Sequence, residues 1–324
     1  MFSKMNRLKK SGFTMFTVLL SSMLILSGCG NKTEDKGAQE PAKQEAKYTV
    51  KHAMGETPIE GTPKRVVVLT NEGTEAALAM GIKPVGAVRS WNGDPWYDHI
   101  KADMEGVEVL GEESQPNIEK IAALKPDLIL GNKMRQEKVY QQLSAIAPTV
   151  FSEDLRGNWK INFKLYAEAL NKKAEGDKLL ADWDKKIADF KAEAGDKLNT
   201  QVSVVRFMAG KTRLYMKNTF SGMIFDEIGL KRPAAQDKDD FVAEITKERI
   251  PEMEGDIMFY FTYDTGNGEA NKTEKEWLDD SLFKNLAVVK AGKVHKVDDS
   301  VWNTAGGIKA ANLMVDELKG FILK

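Results

Sequence analysis

The sequence predicts an α/β protein of two lobes, each with a mostly parallel central sheet flanked by helices, joined by one long rigid α-helix. Three observations carry that prediction. Short apolar runs alternate with helical patterns through residues 48–156, the alternation returns through residues 195–324, and one long amphipathic stretch lies between them. Alternating strand and helix units build mostly parallel sheets covered on both faces. With 324 residues the chain is long enough to bury two such cores.

The N-terminus sets the compartment. Lys4, Arg7, Lys9 and Lys10 form a basic start, and Phe13 to Leu26 form an apolar core of 14 residues. That is too short for a comfortable membrane span and has the proportions of a signal peptide. It ends in Leu26-Ser27-Gly28-Cys29, which resembles a bacterial lipobox, and Cys29 is the chain's single cysteine. A diacylglycerol and an N-linked acyl chain on Cys29 would supply the two anchors that stable membrane attachment needs. Residues 1–28 therefore read as signal peptide, and residues 29–47 as lipidated cysteine and flexible tether without large apolar side chains. The expected location is the extracellular face of a cell membrane, with a lipobox and a Lys-rich composition pointing to a Gram-positive cell.

Elements of the first lobe follow in order over residues 48–156. Tyr48 to Ile59 suggests a hairpin or edge element. Val66 to Leu69 is a continuous apolar run, as expected of a strand buried on both faces. Thr70 to Gly73 turns the chain, Thr74 is a candidate cap for a helix Glu75 to Met80, and Gly81 stops it. Val85 to Val88, Val107 to Leu110, Asp127 to Leu130 and Thr149 to Phe151 read as further strands, with helices at Ile118 to Leu124 and Val139 to Ile146.

The stretch Trp159 to Lys191 has apolar residues at helical spacing, from Ile161 and Leu165 to Trp183, Ile187 and Phe190. About 32 residues at 1.5 Å each would span roughly 48 Å. Residues 157–194 are therefore the expected connecting helix, with Gly176 its weak point. A single stiff connector predicts small lobe movements on binding. In the second lobe, residues 195–324, strands are expected at Val202 to Phe207, Arg213 to Tyr215, Ile257 to Phe261 and Val294 to Val297. Helices are expected at Met223 to Ile228, closed by Gly229, at Trp277 to Phe283 and at Ile308 to Ile322.

Composition excludes several functions. A net charge of −1 gives no bulk attraction to nucleic acid, and one cysteine with three scattered histidines (His52, His99, His295) forms no metal motif. The sequence has no G-x-S-x-G elbow, paired-histidine motif, dinucleotide fingerprint or Walker loop, so no catalytic residue or intrinsic cofactor is expected. The acidic run Asp237 to Asp240 reads as a solvated loop.

In α/β sheets, ligands bind beyond the carboxyl ends of the strands. Arginine is scarce, nine against 38 lysines, and its planar fork suits bidentate recognition of carboxylates. Arg89, Arg135, Arg156, Arg206 and Arg213 fall in or beside the predicted strand ends, and together they suit an anionic ligand. An ion pair at the surface or between lobes is the competing reading for each. Trp91, Trp96, Tyr97, Trp159, Tyr215, Tyr260, Tyr263 and Trp302, with Asn303 beside it, are the candidates to pack apolar arms of that ligand. Core packing competes for Tyr260 and Trp302, and it is the expected role of Trp183 and Phe190.

Four stretches carry a family resemblance: KRVVVLTNEGTEAALAMGIKPVGAV, PNIEKIAALKPDLIL, GLKRP and AGKVHKVDDSVWNTAGGIKAANLMVDEL. In this order, behind a lipobox, they resemble the substrate-binding lipoproteins of ferric-siderophore ABC importers, a family that includes vitamin B12 and haem binders. The resemblance implies two lobes joined by one rigid helix, a cleft between them for the ligand, and a ferric siderophore whose own oxygens hold the iron. It also implies ABC permease subunits and their ATPase as partners. Two docking carboxylates would meet arginine pockets on the permease, matching Glu119 in PNIEKIAALKPD and Glu248 in ITKERIPEMEGD. A monomer is expected, and the arginine surplus points to a citrate- and hydroxamate-type siderophore such as schizokinen. The alternatives are a cobalamin or haem binder, with Tyr97 or His99 as an axial candidate, and a secreted two-lobe hydrolase or reductase.

Overall fold

The structure, a computed structural model, describes residues 47–155 and 157–324. The expected signal peptide, Cys29 and its tether up to residue 46, and Arg156 lie outside the described residues. A hairpin comes first, β1 (Lys47–His52) antiparallel to β2 (Gly55–Glu60). Then come β3 (Val66–Val68), helix α1 (Asn71–Ala79), β4 (Gly86–Ala87) and β5 (Glu108–Val109). A second, two-residue hairpin pairs β6 (Gly111–Glu112) with β7 (Gln115–Pro116). Helix α2 (Ile118–Ala123), β8 (Leu128–Asn132), α3 (Lys133–Gln136), α4 (Tyr140–Ser144) and β9 (Thr149–Ser152) complete this half. Its main sheet has the order β5-β4-β3-β8-β9 and is parallel throughout.

Helices α5 (Trp159–Ala169) and α6 (Lys173–Ala194) lead to the second sheet. There β10 (Val202–Met208) and β11 (Lys211–Tyr215) are followed by α7 (Phe220–Ile228), β12 (Val242–Ile245) and β13 (Ile257–Tyr263). Helices α8 (Glu269–Leu278), α9 (Ser281–Asn285) and α10 (Ala287–Lys290) precede β14 (Val294–Lys296), and α11 (Ile308–Ile322) closes the chain. The strand order is β12-β11-β10-β13-β14, with β10, β13 and β14 parallel and β11 and β12 antiparallel.

Strand alternation explains why both sheets are covered on both faces. Val66, Val68, Leu128, Leu130 and Val150 point to one core, and Val67, Ile129 and Phe151 to another. In the second sheet Val202, Val204, Phe259 and Phe261 join the first of these cores, while Val205, Phe207 and Met258 face away from it. The shared core runs from one sheet to the other through Phe163, Tyr166, Trp183, Phe190 and Met314 of α5, α6 and α11. Each such side chain contributes about 1.5–3 kcal/mol by its burial.

The connector is two helices. Asn171 adopts φ +55° and closes α5, its amide donating to Thr62 Oγ1 at 2.9 Å. Asparagine is among the few residues other than glycine that visit that left-handed conformation. The long helix is therefore α6, 22 residues and about 33 Å. Gly176, Leu180, Trp183, Ile187, Phe190 and Ala194 form its buried stripe. Gly176 is no weak point: a Cβ there would come 2.6 Å from the Ala167 Cβ, so glycine permits the close approach of α6 to α5.

Three local differences have plain causes. Thr70, not Thr74, caps α1, its Oγ1 accepting the Gly73 N–H at 3.0 Å, so the helix begins at Asn71. The predicted helix from Trp277 to Phe283 is broken, because Asp280 caps a new helix through the Leu282 N–H at 2.9 Å. Strand β12 was not anticipated; its half-exposed residues lack a buried-strand signature.

Candidate functional site

The carboxyl ends of the strands converge on a cavity of about 320 Å³ lined from both sheets. On the first half, the Thr70 cap brings Glu72 into the first turn of α1, at the end of β3. Glu113 follows β6, and its Oε1 accepts from the backbone N–H and side-chain amide of Asn71 at 2.7 and 2.8 Å. Gln136 clamps this corner, donating to the carbonyls of Leu69 at 3.0 Å and Glu113 at 2.6 Å. Arg135 of α3 places its Nε 3.6 Å from Glu113 Oε2 and its guanidinium over the Trp91 ring at 5.5 Å.

On the second half, Arg206 of β10 donates from Nη2 to Asp299 Oδ2 at 3.0 Å and from Nη1 to the Tyr215 hydroxyl at 3.1 Å. A further contact, Nε to Asp299 Oδ1 at 2.7 Å, is electrostatic and not an aligned hydrogen bond. The same guanidinium lies 4.7 Å from the Tyr263 ring centre. Arg213 of β11 pairs with Glu244 at 2.7 Å and is more exposed. The Tyr263 hydroxyl donates to the Trp91 carbonyl at 3.3 Å, so the two halves already touch across the cleft. Phe220, Phe241 and the turn Asn303 to Gly306 complete the wall.

Burial dominates the electrostatics. It pushes Glu72 well above the ordinary carboxyl range, a hydrogen bond from Asn162 only partly opposing it. Burial also raises Glu113, against the hydrogen bonds from Asn71 and the charge of Arg135. Asp299 is raised by burial too, although Arg206 favours its charged form.

Of the candidate ligand residues, Trp91, Arg135, Arg206, Arg213, Tyr215, Tyr263 and Asn303 come together around this cavity, whereas Trp96 and Trp159 are buried in the core. The structure places the other described candidates elsewhere. Arg89 is exposed and does not line the cavity, though its carbonyl accepts from Asn71 Nδ2 at 3.4 Å. Tyr97 is buried, stacks on His99 at 5.7 Å and shapes the Trp91 loop by accepting the Trp91 N–H at 3.4 Å. Tyr260 alternates with Tyr263 on β13 and packs on Phe207 at 5.6 Å, on the far face of the sheet. Trp302 is fully buried on Phe259, its Nε1 donating to Glu317. Glu72 and Glu113 were missed, although both stand in the turns that follow predicted strands. Glu119 and Glu248 are exposed, each in the first turn of a short helix, that of Glu248 spanning Lys247–Met253. A hydrogen bond from Thr246 lowers the Glu248 pKa. Among the described residues, no three His, Cys, Asp or Glu side chains gather as a metal site, and no helix is long and apolar enough to cross a membrane.

The model of the periplasmic binding protein family matches residues 66–301. A probable siderophore-binding lipoprotein of Bacillus subtilis, YfiY, is 52% identical over 324 residues, covering 97% of this chain and 99% of that protein. The Fe(3+)-citrate-binding protein YfmC of the same organism is 31% identical over 300 residues, covering 92% of each chain. Among solved structures, Staphylococcus aureus SirA complexed with staphyloferrin B has a TM-score of 0.78 at 40% identity, covering 84% of this chain and 97% of that one. The chain belongs to the periplasmic binding protein family, among its siderophore-binding ABC transporter members.

Proposed function

We propose that this member of the family captures a ferric siderophore of citrate and hydroxamate type, such as schizokinen, in the cavity between its sheets and delivers it to an ABC permease. The observation that carries the reading is the cavity itself. Arg135 from one half and Arg206 and Arg213 from the other line a volume of about 320 Å³ together with Trp91, Tyr215 and Phe241. Guanidinium groups bind carboxylates in a bidentate manner, and aromatic faces cover apolar arms. The iron is cargo, held by the siderophore's oxygens, and the protein touches it only through them. The relatives' names support the class: one is described as Fe(3+)-citrate-binding, and one structure holds staphyloferrin B.

In the same proposal Cys29 anchors the protein by lipid to the outer face of the membrane, and the folded body acts as a monomer. Glu119 and Glu248 dock on the permease, since each is an exposed carboxylate at the start of a short helix. A haem reading through the named axial candidates finds less support, because neither Tyr97 nor His99 lines the cavity. The test is a titration of intrinsic tryptophan fluorescence with ferric schizokinen, ferric citrate, ferrioxamine, a ferric catecholate, haem and cobalamin. Saturable quenching by a ferric siderophore is expected. Quenching by no ferric siderophore refutes the proposal, whatever haem or cobalamin does.

A further inference from the structure

The cavity arginines have acidic partners within the protein. Arg135 faces Glu113, Arg206 is held by Asp299, and Arg213 pairs with Glu244. Glu72 is different. It lines the cavity and is only 7% exposed, yet its Oε1 has no hydrogen-bond partner. No lysine or arginine among the described residues pairs with it, and the charges that bear on it are the acids Glu113, Asp154 and Glu75. A buried polar atom without a partner costs free energy, and native proteins rarely retain one unless something else completes it. Arginines serve a ligand's carboxylates; a carboxyl in the same wall that bonds Asn162 and keeps Oε1 unpartnered serves a hydrogen-bond donor.

We propose that Glu72 is a specificity-determining residue whose carboxyl accepts an N–H of the bound siderophore, selecting ligands that carry amide or amine groups beside their carboxylates. This rests on the siderophore-binding reading above. The position fits the task. Glu72 stands in the first turn of α1, at the end of β3, and its wall faces Arg206 and Arg213 across the cavity. A ligand spanning the cleft would present acidic groups to the second half and an N–H to the first. Rejection of ligands without a donor follows from leaving Oε1 unpaired beneath them.

The experiment compares two probes on the intact protein. Ferric schizokinen carries amide N–H groups beside its citrate core, and ferric citrate offers carboxylates without N–H. Dissociation constants are measured for the native protein, Glu72→Gln and Glu72→Leu, with a melting temperature for each. The native protein is expected to prefer ferric schizokinen at least tenfold. Glu72→Leu should erase that preference with little change in melting temperature, because the loss of the Asn162 hydrogen bond is offset by removing a buried Oε1 that nothing satisfies. Glu72→Gln keeps an acceptor oxygen and should hold the preference within about threefold. An unchanged preference in Glu72→Leu, a native preference for ferric citrate, or equal losses in both variants with lowered melting temperatures would overturn the role of Glu72. Failure of the native protein to bind any ferric siderophore would instead overturn the function on which it rests, and the inference with it.

Discussion

The Glu75 carboxylate of α1 accepts the backbone N–H of Ala310, in the first turn of α11, at 2.9 Å. Its other oxygen lies 2.5 Å from His99 Nε2, and the Glu75 side chain is wholly buried. Gly307 makes the approach possible, since a Cβ there would come 2.6 Å from Glu75 Oε2. Beside this contact Lys309 pairs with Asp103 at 2.8 Å, so helix α11, which follows the second sheet, is pinned to the first half at two points.

Glu75→Ala should destabilise the protein by about 2–3 kcal/mol, because it strands a buried N–H and the His99 imidazole. Urea unfolding would measure the loss. Hydrogen exchange should quicken at Ala310 and Ala311, and unchanged protection there would mean that the pin is not what orders α11.

Gly176→Ala should destabilise although alanine favours helix by about 1 kcal/mol. The new methyl would come 2.6 Å from Ala167 Cβ, forcing α6 off α5. Overpacking of this kind costs roughly 1–3 kcal/mol, and a denaturant midpoint above that of the native protein would refute the close-approach role.

Arg206 and Arg213 should separate cleanly. Arg206→Ala leaves Asp299 buried without its cation and should cost roughly 3–5 kcal/mol. Arg213→Ala loses a pair whose Glu244 is open to solvent, where screening leaves little to lose. Its melting temperature should stay near the native value while ferric-siderophore affinity falls. Equal melting losses for the two variants would refute the distinction.

Stability should fall as pH rises above the ordinary carboxyl value of 4.5, because burial raises Glu72 and Glu113 in the folded state. In that window the folded protein keeps protons that the unfolded chain has released, so unfolding is favoured by rising pH. Melting curves from pH 4.5 to neutrality should show a shallower decline for Glu72→Gln than for the native protein. Parallel declines would exclude Glu72 as a contributor.

Much of the fold was legible because periodicity reports burial. Helix α11 has the predicted bounds, Ile308–Ile322, since its apolar stripe is regular and fully buried. Gly229 closes α7 with φ +89°, as a glycine at a helix end should. The stop at Asn171 was not legible, because a helical stripe continues on either side of it. In the site, neighbouring residues had opposite fates. Trp302 fills the core while Asn303 faces the cavity, and Tyr260 and Tyr263 lie on opposite faces of β13. Composition cannot separate such neighbours; only strand parity and the short π-helix at Ser300–Thr304 do. Glu72 escaped notice because a carboxylate in a turn looks solvated until its burial is seen.

The Tyr263–Trp91 bond carries one more consequence. It belongs to a succession across the cavity, in which Asp299, Arg206, Tyr263, Trp91, Arg135 and Glu113 each touch the next. Uptake of a ligand is then an exchange reaction: contacts within the protein are surrendered as contacts to the cargo form. The heat of binding measures only the difference between the two sets. The heat released should therefore fall short of what the new contacts to the cargo alone would give.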